Sequence, residues 1–144
     1  MSVNVTAEDR FLILDLFARY SRAEDTDDAE GYAALFTSDG LCQMRDNAYK
    51  GRDDIVTFMK GLKLKGFRHH TTQILFEEGD SKRCRVSSYS TIFFVNKDRT
   101  SELRQHGIYR DLIVKLEDGQ WYFAERNWEP WDVENPEKYR PLPR

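Results

Sequence analysis

The sequence predicts an α+β fold in which N-terminal helices pack in a strongly curved, mixed or antiparallel sheet. Three observations predict it. Apolar residues recur at helical spacing as far as Gly66 and alternate with polar ones after it. The alternating part falls into four long runs, Phe67 to Glu77, Lys82 to Val95, Leu103 to Leu116 and Gln120 to Trp128. Between them stand Glu78-Gly79-Asp80, Asn96-Lys97-Asp98 and Glu117-Asp118-Gly119, and connections this short join antiparallel neighbours. Helices first and a meander afterwards is the α+β order. Runs this long do not lie flat, so strong curvature and bulges are expected.

Each element follows from local chemistry. Thr6-Ala7-Glu8-Asp9 resembles a capping box with Asp in the place of Glu, and Phe11 to Tyr20 is apolar on nearly all sides. A well-buried first helix should begin there and end near Ala23. Asp28 can cap a second, short helix through Ala29, Tyr32, Ala33 and Phe36, and Asp39-Gly40 reads as a turn into a strand at Leu41 to Arg45. Asp53 or Asp54 can cap a third helix whose apolar face is Ile55, Phe58, Met59 and Leu62. Trp121 and Phe123 belong to the core under the helices. The expected organisation is one domain over residues 1–131 and a Pro-containing tail over 132–144.

At 144 residues, 40% hydrophobic and 33% charged, the chain has the composition of one folded domain. Its 13% of aromatic residues serve equally as core fillers or as pocket lining. The 22 basic and 25 acidic residues are interspersed, so no basic stripe follows a phosphate backbone and nucleic acid is not an expected partner. The longest apolar run, Phe11 to Leu14, is too short for a membrane span, and Met1 to Thr6 lacks the features of a signal peptide. The expectation is a cytoplasmic protein without membrane contact. Cys42 and Cys84 have no metal-ligand spacing and read as reduced, partly buried thiols.

A series of short motifs stands in a particular order: Tyr20, Asp25, Phe36-Thr37-Ser38-Asp39-Gly40, Gly51, Arg68-His69, Tyr109-Arg110-Asp111 and Asp118-Gly119-Gln120-Trp121. In that order they resemble the SnoaL-like branch of the NTF2-like superfamily, from about residue 8 to about residue 131. Within it the chain is similar to the scytalone dehydratase and bile-acid 7α-dehydratase branch. The resemblance implies a cone-shaped α+β barrel with a pocket between sheet and helices for a small apolar or aromatic ligand, and no cofactor. It speaks more for the fold than for the reaction, because this fold hosts many functions.

The resemblance also implies an Asp25-His69 pair in the pocket with Tyr20 beside it. A carboxylate next to imidazole fixes the ring tautomer and raises its basicity, so the ring can take a proton beside a carbonyl and later protonate a leaving hydroxyl. Tyr20 would hydrogen-bond the substrate carbonyl as enolate character develops. His69 and His70 point to opposite faces of a strand, so only one enters the pocket without a bulge; the register of the resemblance favours His69, and a one-residue slip would put His70 there instead. His106, before Gly107, stands about where scytalone-dehydratase-like proteins tend to have a second pocket histidine. Alternation adds Thr71 and Gln73 on the face of His69, and Tyr89, Tyr109, Asp111 and Asn127 from later strands, as substrate-binding candidates; each also has an ordinary use in sheet packing or as polar surface. Arg126 can pair with Glu24, Asp25 or Glu125, and a buried partner of that kind would weaken the carboxylate as a base.

No helix-spaced His/Glu cluster suggests a metal, Ser87, Ser88 and Ser90 lack a nucleophile elbow, and no Gly-rich phosphate loop occurs. Three functions remain: a cofactor-independent lyase or isomerase, a ligand-binding protein without turnover, and a structural subunit like the β subunits of ring-hydroxylating dioxygenases. A close His69-Asp25 contact at the bottom of an enclosed cavity favours the enzyme; a filled core favours the module. Ile92, Phe94 and Val114 are expected as exposed apolar residues that a homodimer or homotrimer would cover.

Overall fold

A computed structural model describes residues 2–143. Three helices, α1 (Ala7–Asp25), α2 (Ala29–Ala34) and α3 (Arg52–Gly61), accompany six strands, β1 (Phe36–Met44), β2 (Asn47–Lys50), β3 (Phe67–Gly79), β4 (Arg83–Val95), β5 (Ser101–Lys115) and β6 (Trp121–Pro130). The strands form one open sheet in the order β2-β1-β6-β5-β4-β3. β1 runs parallel to β6, and the other neighbours are antiparallel. The sheet is therefore mixed, and the helices pack within its curve in the α+β, NTF2-like arrangement that the sequence predicts.

Thr6 Oγ1 accepts a hydrogen bond from the Asp9 backbone N–H at 3.1 Å, which starts α1 at the expected cap. Its buried residues, among them Ile13, Leu16, Phe17, Tyr20, Ala23 and Glu24, form one stripe at three- and four-residue spacing. The helix is not apolar-buried all round: it packs on β3, β6 and α2, and Phe11 on its other side is 71% exposed. Asp28 Oδ1 caps α2 by accepting from Gly31 N–H at 2.9 Å.

The segment between α2 and α3 departs most from expectation. Phe36 opens β1 rather than ending a helix, and Asp39-Gly40 lies inside β1, where the register against β6 shifts between Phe36 and Leu41. At Gly40 a Cβ would stand 2.9 Å from Phe36 Cβ and 3.2 Å from the Phe123 carbonyl, so only glycine lets the strand bend this closely. β2 returns antiparallel on β1 through Arg45-Asp46. α3 is entered from Gly51, at φ 83°, with no side-chain cap from Asp53 or Asp54; that backbone region favours glycine. α3 buries Ile55 and Met59, and Phe58 stacks on Tyr49.

Register shifts at Thr72/Leu75, Phe76/Glu78, Ile92/Phe93 and Leu112/Ile113 bend the long strands. The core sits between this curved face and the helices, with Ile13, Tyr20, Tyr32, Phe36, Ile55, Ile113 and Phe123 fully buried. Trp121 belongs to it, donating from Nε1 to Asp9 Oδ1 at 2.9 Å. Both cysteines are buried free thiols. Ile92, Phe94 and Val114 are half-buried rather than exposed; Phe94, for one, packs on Phe67 and under the Arg104 guanidinium. After β6 the chain folds back across the outer side of the sheet, where Trp131 stacks on Tyr139 and Leu142 N–H donates to Glu77 Oε2 at 3.3 Å. Among the described residues no helix is long and apolar enough to cross a membrane.

Candidate active site

Asp25 is the last residue of α1, and His69 lies two residues into β3. The carboxylate of Asp25 faces the strand and accepts the His69 backbone N–H at 3.1 Å. The same oxygen lies 2.8 Å from His69 Nδ1. A carboxylate only accepts, so Nδ1 carries the hydrogen and Nε2 is the atom left for proton transfer. One carboxylate thus holds both the strand's main chain and the ring, which fixes the side-chain rotamer.

Nε2 points inward to a second carboxyl group: Glu24 Oε2 is 3.5 Å away, and the side chains of His69 and Glu24 are each 8% exposed. Burial pushes the Glu24 carboxyl up to about 7, while His69 and Arg126 draw it down and Asp25 pushes it further up. Beyond Glu24 lies a buried ion pair, Arg126 Nη1 to Asp111 Oδ2 at 3.0 Å. The Arg126 guanidinium carbon sits 3.6 Å from the Tyr109 ring centre and 4.0 Å from that of Tyr20, a cation enclosed by aromatic faces. Burial pushes Asp111 upward against the pull of Arg126. We take the pair as ionised, because the guanidinium is held in its charged form by that same carboxylate and by the rings around it.

The pair opens onto a cleft of about 340 Å³, whose lining includes Leu14, Phe17, Ala18, Ser21, Asp25, His69, Thr71 and Ile74. The cleft is open, and the interior behind it is filled with aromatic rings. The two marks of an enzyme therefore separate: the Asp-His contact is present, and the cleft it opens onto is not an enclosed cavity.

The sequence candidates distribute over three places. His69, Asp25 and Thr71 meet at the cleft, with Thr71 Oγ1 3.5 Å from Ser21 Oγ. Tyr20 and Tyr109 stand in the core; the Tyr20 hydroxyl meets that of Tyr32, and burial raises the pKa of all three phenols. His106 and Tyr89 lie on the other side of the sheet in an apolar groove with Gly107, Trp131 and Val133, where His106 Nδ1 is 3.3 Å from Thr91 Oγ1. Asn127 is on that side too, donating to the Arg110 carbonyl. Gln73 is exposed, because the β3 bulge holds it at φ 48° and breaks the alternation that would have carried it inward. Of the doublet, His69 is the inward residue; His70 is exposed against Phe93. Arg126 pairs with Asp111 and not with Glu24, Asp25 or Glu125, since Asp111 is its cross-strand neighbour.

Sequence reasoning missed Glu24 as a site group. Its signal was the α1 stripe itself, since Tyr20 and Glu24 are four residues apart on the buried face. Among the described residues, no group of three or more His, Cys, Asp and Glu side chains is arranged to hold a metal ion.

A helix-lined, curved mixed sheet with an Asp-His pair at the end of the first helix defines a cystatin-like, NTF2-like α+β protein. The chain belongs to the SnoaL-like domain family, whose model matches residues 5–127. It is similar to a protein of unknown function from Mycobacterium tuberculosis, at 27% identity over 91% of this chain and 82% of that one, TM-score 0.80. It is similar also to a cystatin-like-fold protein of unknown function from Nostoc punctiforme, at 26% identity over 91% of this chain and 97% of that one, TM-score 0.80. A putative scytalone dehydratase from Novosphingobium aromaticivorans shares the fold, at 24% identity over 86% of this chain and 85% of that one, TM-score 0.73. No curated protein matches the chain.

Proposed function

We propose that the protein is a cofactor-independent lyase or isomerase of the dehydratase kind, acting on a small cyclic or aromatic β-hydroxy carbonyl compound. The observation that carries this reading is the 2.8 Å contact between His69 Nδ1 and Asp25, made at a cleft with Leu14, Phe17, Ala18 and Ile74 on its walls. The carboxylate leaves the Nε2 lone pair free, and the apolar walls suit a carbon skeleton beside the ring. His69 removes the proton next to the carbonyl, and loss of water or a shift of the double bond follows. The test is a screen of cyclic β-hydroxy ketones for loss of water, read by mass spectrometry. Turnover retained in full by His69→Ala on any substrate so found would sink the reading.

A second reading, a pocket that holds such a ligand without turnover, draws on the filled interior behind the pair, where Tyr20, Tyr32, Phe36, Tyr109 and Phe123 pack together. Unaltered ligand affinity with no product from any compound would select it. We also propose a homodimer or homotrimer, in which the outer face around Val133 (74% exposed), Leu103 (54%) and Tyr89 (42%) is covered. Light scattering that reports a monomer at micromolar concentration would count against that assembly.

A further inference from the structure

We propose that Glu24 is the general acid of the site, delivering a proton to the leaving hydroxyl while His69 takes one from the neighbouring carbon. The proposal rests on the acid-base reading above and assigns its second group. Glu24 and Asp25 are consecutive at the end of α1, and consecutive helical side chains splay apart. Asp25 therefore reaches one nitrogen of the ring and Glu24 faces the other, with Oε2 3.5 Å from Nε2. That separation is too long for a strong hydrogen bond. It places an acid and a base side by side, as a substrate with its hydrogen and its hydroxyl on adjacent carbons requires. The Glu24 side chain is as exposed as the His69 ring, 8% for each.

The groups that face Glu24 leave it this role. They are Tyr20 and Asp25 on α1, Tyr32 on α2, Cys42 on β1, His69 on β3, Tyr109 on β5 and Arg126 on β6. Arg126 is committed to Asp111. Asp25 is committed to His69. Burial keeps the three phenols and the Cys42 thiol neutral at working pH. Among the described residues Glu24 Oε1 has no hydrogen-bond partner, so at that oxygen no neighbour holds the carboxyl in its charged form by hydrogen bonding. A carboxyl pushed up to about 7 by burial carries a proton in much of the population at neutral pH, as an acid catalyst needs.

The step balances. The C–H bond beside the carbonyl breaks and its proton goes to Nε2, while its electron pair forms the new double bond by way of the enolate. The C–O bond breaks, and the Glu24 Oε2–H proton converts the leaving oxygen to water. Nε2–H then returns its proton directly to Glu24 Oε2, which restores both groups.

Two measurements on the full chain test this. In wild-type protein labelled at the glutamate side-chain carboxyl carbon and assigned through the backbone, the Glu24 carbon should titrate with a midpoint about 7. Asp25→Asn should move that midpoint down, because the Asp25 carboxylate raises the Glu24 pKa. A midpoint in the ordinary glutamate range overturns the proposal, and this measurement stands even if Glu24→Gln fails to fold. On a β-hydroxy ketone substrate, Glu24→Gln should lower kcat by roughly 10²-fold and abolish the fall of kcat as pH rises through about 7. Replacing the hydroxyl by acetate, which leaves without a proton, should restore turnover in Glu24→Gln but not in His69→Ala. Turnover lost in His69→Ala and kept in Glu24→Gln overturns the role of Glu24 alone; turnover kept in His69→Ala overturns the acid-base reading beneath it.

Discussion

Charged groups gather on both faces of the sheet, and the two gatherings differ in burial rather than in kind. On the inner face Arg126 and Asp111 are 0% exposed, with Glu24 and His69 beside them at 8%. On the outer face Arg110 and Glu129 are 45% and 37% exposed, and Lys138 and Asp132 are 38% and 31%. A carboxyl in the first set is pushed up by desolvation, as at Glu24, and one in the second is drawn down by its partners, as at Asp132. The same residue types thus meet desolvation inside and water outside.

The largest expected contrast is in turnover. On a substrate from the β-hydroxy ketone screen, His69→Ala and Asp25→Asn should each lower kcat by roughly 10²–10⁴-fold, and the double variant should be little worse than the worse single one, as the proposal that the two residues act as one base requires. His106→Ala, on the outer face, should leave kcat unchanged. Equal losses from His69→Ala and His106→Ala would erase the distinction between the faces.

Next in size is the cost of breaking the inner ion pair. Arg126→Met leaves the Asp111 carboxylate buried and unpaired, and should destabilise the fold by about 3–5 kcal/mol in denaturant unfolding. Adding Asp111→Leu should recover much of that loss, because the orphaned charge goes with its partner. A loss below about 1 kcal/mol for Arg126→Met would show that water reaches the pair.

These contrasts also show how far the sequence was legible. The period change at Gly66 and the three short turns placed β3 to β6 closely, because cross-strand alternation is a local pattern. The Asp25-His69 pair came from motif order, and the structure brings those two side chains into contact. Alternation failed at Gln73, where a bulge with positive φ turns the side chain outward; nothing in Thr71-Thr72-Gln73 announces it. β2 was missed because Arg45-Asp46 carries no glycine turn signal. The partner of Arg126 depends on the β5-β6 register, which a one-residue slip would reverse. Glu24 was overlooked because an acidic doublet at a helix end reads as solvent-facing, although the helical stripe places it inside.

The pH dependence of stability should separate the faces more finely. The Glu24 carboxyl is raised in the folded protein from 4.5 to about 7. The folded state therefore binds the proton more tightly than the unfolded one. The stability it contributes is fully present below the unfolded value and is lost as pH rises through about 7, on the order of 3 kcal/mol in all. Glu24→Gln cannot ionise and should show a correspondingly flatter profile of unfolding free energy across that window. Asp132 runs the other way: drawn down to about 2, its stabilisation is lost only as pH falls toward that value. Superimposable profiles for wild type and Glu24→Gln between pH 4.5 and 8 would mean that Glu24 is solvated in solution.

The smallest effect should come from Arg110, which ties the tail to the outer face. Its Nη1 donates to Glu129 Oε1 at 2.6 Å, its Nη2 to the Lys138 carbonyl at 3.3 Å, and its guanidinium lies 5.4 Å from the Tyr139 ring centre. All three contacts are solvent-accessible, so the Coulombic gain is screened by water and salt and is offset by the entropy of holding long side chains. Arg110→Ala should change global stability by less than about 1 kcal/mol. The tail should respond more than the fold does: losing the Lys138 carbonyl and Tyr139 contacts leaves it held by the Trp131-Tyr139 stack and the exposed Lys138 ion pairs, so backbone hydrogen exchange at Asp132 to Arg140 should quicken while that of β5 and β6 stays slow. High salt should mimic part of this change in wild type and add little in Arg110→Ala. Exchange in β5 and β6 that quickens together with the tail would mean that the outer cluster braces the sheet itself, and that burial alone does not divide the two faces.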